Sequence, residues 1–248
     1  MIPRNRRGHA RPSASIRTPN NPPRQPSDPP PPISPGTPEQ TMDETPHYPR
    51  DARDVYHAAF LLRQVLVPDL VPIILDHAEY WVCASSAEEK DQTVASRDSP
   101  LLYLTSAPIR RTCRSRAAVK KVVFTITSHD QGYCSFPEAG NWTWFTAVRR
   151  RPLSSSSSSS AEDASQPSLP NQSELVLTSN TMANHNFETH TIAWPDDESP
   201  GQSEGATRDW VRGLATGDQI EVNACARFDG WMNYVRRVRV DVFTSAVA

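Results

Sequence analysis

His129, Asp130 and Gln131 stand together inside Val119–Phe145, VKKVVFTITSHDQGYCSFPEAGNWTWF, between two strand-like stretches. Three chemistries fit the trio. As a binding loop it presents hydrogen-bonding groups to a peptide or a glycan. As a catalytic loop it gives a hydrolase in which His129 is the general base with Asp130 beside it. As a structural loop, Asp130 and Gln131 cap the turn out of the strand through backbone hydrogen bonds. Trp231 and Asn233 belong to a Gly-Trp turn near the C-terminus. If that turn and the His129 loop share one end of the fold, they make one site. The candidate ligand-binding residues are therefore His129, Asp130, Gln131, Trp231 and Asn233. No residue is assigned a catalytic role.

Other chemistry is sparse. No dinucleotide or P-loop glycine pattern and no HExxH pair occurs. His185 and His190 are five apart and would face opposite sides of a regular strand, which argues against a shared metal. Cys83, Cys113, Cys134 and Cys225 are widely and irregularly spaced, without the close pairs of a structural zinc site. Neither a metal nor a cofactor is expected. The acids are scattered, and no glycosidase-like carboxylate pair stands out. Trp142, Trp144, Trp194, Trp210 and Trp231 suit either an aromatic platform or a sandwich core, and Trp142 or Trp144 is expected in the core.

These loops need elements to hold them. Lys121–Thr127 alternates, with Val122, Phe124 and Ile126 on one face. Trp142–Val148 alternates as well. Leu101–Ser106, Glu174–Ser179, Phe187–Trp194, Gln219–Ala226 and Tyr234–Thr244 complete about seven strands. In the last, Val235 is out of phase with Val238, Val240 and Val242, the mark of a bulge. Strands with unequal loops and no intervening helices predict a mainly β protein, an antiparallel jelly-roll-like β-sandwich. An immunoglobulin-like sandwich is the alternative, disfavoured by the missing cysteine pair.

Before the sandwich, residues 47–83 predict a short helical hairpin. Val55, Ala58, Ala59, Leu62, Val65 and Leu66 recur at helical spacing, Pro68 stops the first helix, and Pro72 falls in the first turn of the second. Its apolar faces are too small to be stable alone, so it packs on the sandwich or on a partner protein. Residues 84–98 read as a polar linker, 195–207 as an acidic loop, and 210–214 as at most one helical turn. The sandwich spans 99–248.

Composition sets the remaining bounds. More than half of the 24 prolines precede Arg50, and 1–46 reads as a disordered Pro/Arg-rich arm. Its first 25 residues carry six arginines and no acid, but not the dense basic block of a nucleic-acid clamp, so nucleic acid is not the expected partner. Seven serines, Ser154–Ser160, mark a disordered insertion at about 153–172. With no apolar leader and no membrane-length run, the chain is expected to be intracellular, cytoplasmic or nuclear, with reduced cysteines. The sequons at Asn141 and Asn171 are then chance matches.

Two resemblances follow. LVPDLVPIILDHAEYW, within the hairpin, resembles the start of an F-box, an element that recruits a ubiquitin-ligase adaptor by burying a helical face. That would make the chain a substrate receptor working through helices in 54–82. SHDQGY (Ser128–Tyr133), NWTWF (Asn141–Phe145) and the ending WVRGLATGDQIEVNACARFDGWMNYVRRVRVDVF are together similar to a group of filamentous-fungal proteins with an SHDQGW-like loop. Tyr133 stands where that group has tryptophan. The resemblance implies one folded β-domain and a fungal source, and no activity. The resulting expectation is a non-catalytic ligand- or protein-binding protein, with the F-box-like receptor and the His129 hydrolase as alternatives.

Overall fold

The computed structural model describes residues 49–112, 118–134, 138, 140–152, 174–197 and 205–247. The expected arm and serine-rich insertion lie outside them. Eight strands form two antiparallel four-stranded sheets. In chain order they are β1 (Val82–Ala95), β2 (Leu101–Thr105), β3 (Ala118–His129), β4 (Thr143–Arg150), β5 (Glu174–Ser179), β6 (Glu188–Pro195), β7 (Gln219–Ala226) and β8 (Met232–Ser245). One sheet runs β1-β8-β3-β6 and the other β2-β7-β4-β5. Each of the first four strands pairs with one of the last four: β1 with β8, β2 with β7, β3 with β6, β4 with β5. The chain is thus one long ribbon doubled back at the β4–β5 connection and wound into two layers. Further pairing of β8 with β3 and of β7 with β4 completes the jelly roll.

Alternation places the core as the sequence implies. Val122, Phe124 and Ile126 of β3 are fully buried, as are Phe145 and Ala147 of β4 and Ile220, Val222 and Ala224 of β7. Fully burying such side chains contributes about 1.5–3 kcal/mol each for the larger ones. The expected bulge is present: the register of β8 slips against both neighbours around Arg236, which lets Val235 and Val238 both point inward.

Four expectations are corrected. The polar linker at 84–98 is mostly β1, a 14-residue edge strand; an edge strand facing water needs few apolar residues, so its periodicity is faint. Helical structure ends at His77, and β1 begins at Val82. The single turn at 210–214 belongs to a two-turn helix, α3 (Gly205–Arg212), which seats Trp210 and Val211 in the core. Trp142 and Trp144 are only half-buried, and the core tryptophans are Trp194 and Trp210. They meet edge to face at 5.2 Å, and Trp194 meets Phe124 at 4.9 Å.

The hairpin comprises α1 (Ala52–Leu62) and α2 (Leu70–His77). Asp51 caps α1 by accepting from the amides of Arg53 (2.8 Å) and Asp54 (3.2 Å). Val55, Ala59, Val71 and Leu75 pack with Ala246 into a small second core. No helix among the described residues is long and apolar enough to cross a membrane.

Candidate functional site

The β3–β4, β5–β6 and β7–β8 loops meet at one end of the sandwich, so the five residues singled out in the sequence come together there. The fold uses them unequally. Asp130 is fully buried. Its Oδ1 accepts from the amide of Gly132 at 2.7 Å and its Oδ2 from the amide of Ala183 at 2.6 Å, tying its own turn to the β5–β6 loop. Gly132 sits at φ +75°, and a Cβ there would lie 2.7 Å from the Cβ of His185. The glycine of the SHDQGY stretch is what lets the two loops touch.

Asn233 is also fully buried. Its Nδ2 donates to the carbonyls of Trp144 and Cys225, each at 3.2 Å, and its Oδ1 accepts from Nδ2 of Asn180 at 3.0 Å. Asn180 donates as well to Oγ1 of Thr143 (2.9 Å) and accepts from the Ser128 hydroxyl (2.7 Å). Asn141 accepts from the amide and hydroxyl of Thr143 and donates to the Asn180 carbonyl. The ends of β3, β4, β5, β7 and β8 are locked by this network, and its low-dielectric setting makes each bond costly to lose. Sequence reasoning missed Asn180. A lone Asn after a strand reads as an ordinary turn residue, and nothing local announces its distant partners.

His129 is held on three sides. Its Nδ1–H donates to the Asp130 carbonyl at 2.5 Å, its ring stacks on Tyr234 at 4.6 Å, and Phe187 meets it edge-on at 4.5 Å. Arg236 lies 3.8 Å above Phe187. Gln131 accepts from the amide of Met232 at 3.3 Å and donates to the Tyr133 carbonyl at 2.7 Å. Trp231 is half-buried. The surface above this base is made instead by residues outside those five, Trp142 of the possible aromatic platform among them. Phe228, about half exposed at φ +68°, packs edge-on against Trp142 at 4.9 Å, with the Arg227 guanidinium over both rings. Tyr133 is 70% exposed. Chemically this end offers stacking faces and a cation on a rigid base. Its buried carboxylate is fully engaged by amides and is no partner for His129.

A second surface lies on the hairpin. While one face packs inward, the other leaves Phe60 (60% exposed), Leu61, Val65 (78%), Val67, Leu70 and Ile73 (62%) in solvent. The hairpin is nonetheless firmly placed. Tyr56 donates to the Thr112 carbonyl, and Nε1 of Trp81 to Asp76, each at 2.9 Å. Lys120 reaches Asp76 at 3.2 Å and Asp196 at 3.6 Å, and Lys121 pairs with Glu79. Asp76, Glu79, Trp81, Lys120, Lys121 and Asp196 line a cavity of about 540 Å³ between α2 and the sandwich, with Ile73 also on its wall. Burial pushes the Asp196 carboxyl above the usual range, opposed by Lys120.

Among the described residues no three His, Cys, Asp or Glu side chains converge into a metal set. Cys83, Cys134 and Cys225 are free thiols; burial pushes Cys225 up to about 11, which makes it a poor nucleophile. Gly201–Gly205 reads GQSEG, the spelling of a nucleophile elbow, which the sequence reading overlooked. Ser203 lies outside the described residues. The stretch joins β6 to α3 in an antiparallel fold, whereas such an elbow turns from strand to helix in an α/β-hydrolase sheet. Neither a scan against protein-family models nor a search of curated proteins gives a match to the chain.

Proposed function

We propose that the protein is a non-catalytic receptor whose helical hairpin docks a ubiquitin-ligase adaptor and whose jelly roll carries the recognition surface. One observation carries this reading: the hairpin is pinned to the sandwich, yet leaves Phe60, Leu61, Val65, Val67, Leu70 and Ile73 uncovered. A soluble domain rarely leaves such a strip bare unless another surface covers it. The strip includes the F-box-like stretch, in which Leu70 and Ile73 project outward while Val71 and Leu75 hold the helix down. The test is calorimetric titration of the full-length protein with a purified ubiquitin-ligase adaptor subunit. Binding that disappears in a Phe60→Asp, Ile73→Asp double variant of unchanged melting temperature is the expected result. An adaptor that does not bind the wild type overturns the assignment.

A second reading, a peptide or glycan bound at the loop end, is favoured by the Trp142–Phe228–Arg227 stack and exposed Tyr133. Glycan- and peptide-array binding that depends on Phe228 and Arg227 is its expected signature. It is compatible with the first, since the two surfaces lie on different elements. We propose kinship with the filamentous-fungal group on the SHDQGY loop and the closing motif; Tyr133, at the position where that group has tryptophan, is 70% exposed.

A further inference from the structure

β1 is an edge strand: it pairs with β8 on one side and, among the described residues, with no strand on the other. An open edge offers backbone N–H and C=O groups to any extended chain, and folded proteins guard it with charge, bulges or a cover. β1 is guarded over one half only. Glu88, Glu89, Lys90 and Asp91 set four charges in succession there, and the register slips between Glu89 and Gln92. The Tyr103 hydroxyl fills that slip between β1 and β8, within 3.0 Å of the Lys90 amide, 2.5 Å of the Lys90 carbonyl and 2.9 Å of the Arg236 carbonyl.

The other half, Val82–Ala87, reads VCASSA. It carries no charge and pairs with β8 without a slip. It borders a groove of about 320 Å³ whose far wall is the 106–112 segment following β2. That segment is held to β1 by a side chain, the Ala107 amide donating to Oγ of Ser86 at 2.9 Å. Val82, Ala84, Pro108 and Ile109 give the groove an apolar lining. Its rim carries Arg50, Arg110 and Arg111; Arg50 pairs with Asp54 at 3.1 Å, and the one acid in the lining, Asp51, is engaged with the α1 amides.

We infer that the Val82–Ala87 half of the β1 edge accepts an extended acidic peptide as an added strand. The peptide backbone pairs with the open edge, small side chains enter the apolar groove, and carboxylates meet the arginine rim. This goes beyond the hairpin reading and shares no contact residue with it.

The test uses the full-length protein and a short fluorescein-labelled peptide alternating valine with glutamate, followed by anisotropy and by hydrogen exchange. A saturable rise is expected, with exchange slowed at Val82–Ala87. The same peptide interrupted by a central proline should not bind, because proline removes an edge donor and bends the strand. Arg110→Glu should weaken binding about fivefold, the scale of a reversed exposed ion pair, and should turn the preference toward a lysine-substituted peptide. Equal binding of the proline peptide, a footprint away from β1, or no saturable rise each overturns the inference. Should Arg110→Glu lower the melting temperature, the wild-type exchange footprint decides alone.

Discussion

The two ends of the hairpin-and-sandwich unit are held by opposite physics. At the loop end, Ser128, Asn180, Thr143 and Asn233 bond to one another away from water, and Asp130 bridges two loops through backbone amides. Directional bonds in a low dielectric specify one arrangement and leave little freedom. At the hairpin, a handful of apolar side chains pack on Ala246, ion pairs at half-exposed positions hold α2 in register, and the opposite apolar face stays in solvent. The first end is finished by its own chain. The second is stable enough to be placed but buries only half of what it could. The comparison teaches that the most polar cluster in the sequence is largely internal structure, while the surface open to a partner is apolar.

Perturbing the two ends should separate these roles, most visibly in the buried network. Asn233→Ala removes three hydrogen bonds and leaves two carbonyls without their side-chain donor. It should cost about 3 kcal/mol, read as a lowered urea midpoint at constant slope. A loss below about 1 kcal/mol would mean that water replaces the network. Gly132→Ala comes next. With φ at +75° and His185 in the way, about 2 kcal/mol is expected in the same measurement, with the loss concentrated in the loop amides by hydrogen exchange.

On the hairpin, Phe60→Ser should change stability by no more than about 0.5 kcal/mol, because the side chain is already in water. The same variant should weaken adaptor binding about 30-fold, as expected of an aromatic anchor. A large stability loss would instead make Phe60 part of the fold and sink the comparison. The smallest effect is expected at Asp196. Its carboxyl is raised chiefly by burial, so the folded state holds that proton more tightly than the unfolded chain. The contribution to stability is full below the ordinary carboxylate range and is lost as pH rises through the raised folded value. Asp196→Asn should flatten that part of the pH–stability curve, and an unchanged slope would show that the group titrates normally.

Much of the architecture was legible in the chain. β5 and β7 take the bounds read from the sequence, and Val235 announces the bulge at Arg236 by falling out of phase. Asp51 marks the start of α1 because a cap acts over a few residues, but Pro68 does not set its end: α1 stops at Leu62, and Val65 and Leu66 lie beyond it. β1 was hidden because an exposed edge needs no apolar face. Half of the candidate site was legible in the same sense: His129, Asp130, Gln131, Trp231 and Asn233 do share one end, but which of them are buried could not be read locally.

The amino-acid sequence by itself determined the two-residue period of the strands, the helical hairpin and the turn chemistry of the SHDQGY loop, since these depend on neighbours along the chain. Only the tertiary structure decided that Asn180 joins Asn233, that Trp194 rather than Trp142 enters the core, and that Val71 faces inward while Ile73 faces water. Those outcomes depend on partners dozens of residues away, brought together by doubling the ribbon at β4–β5.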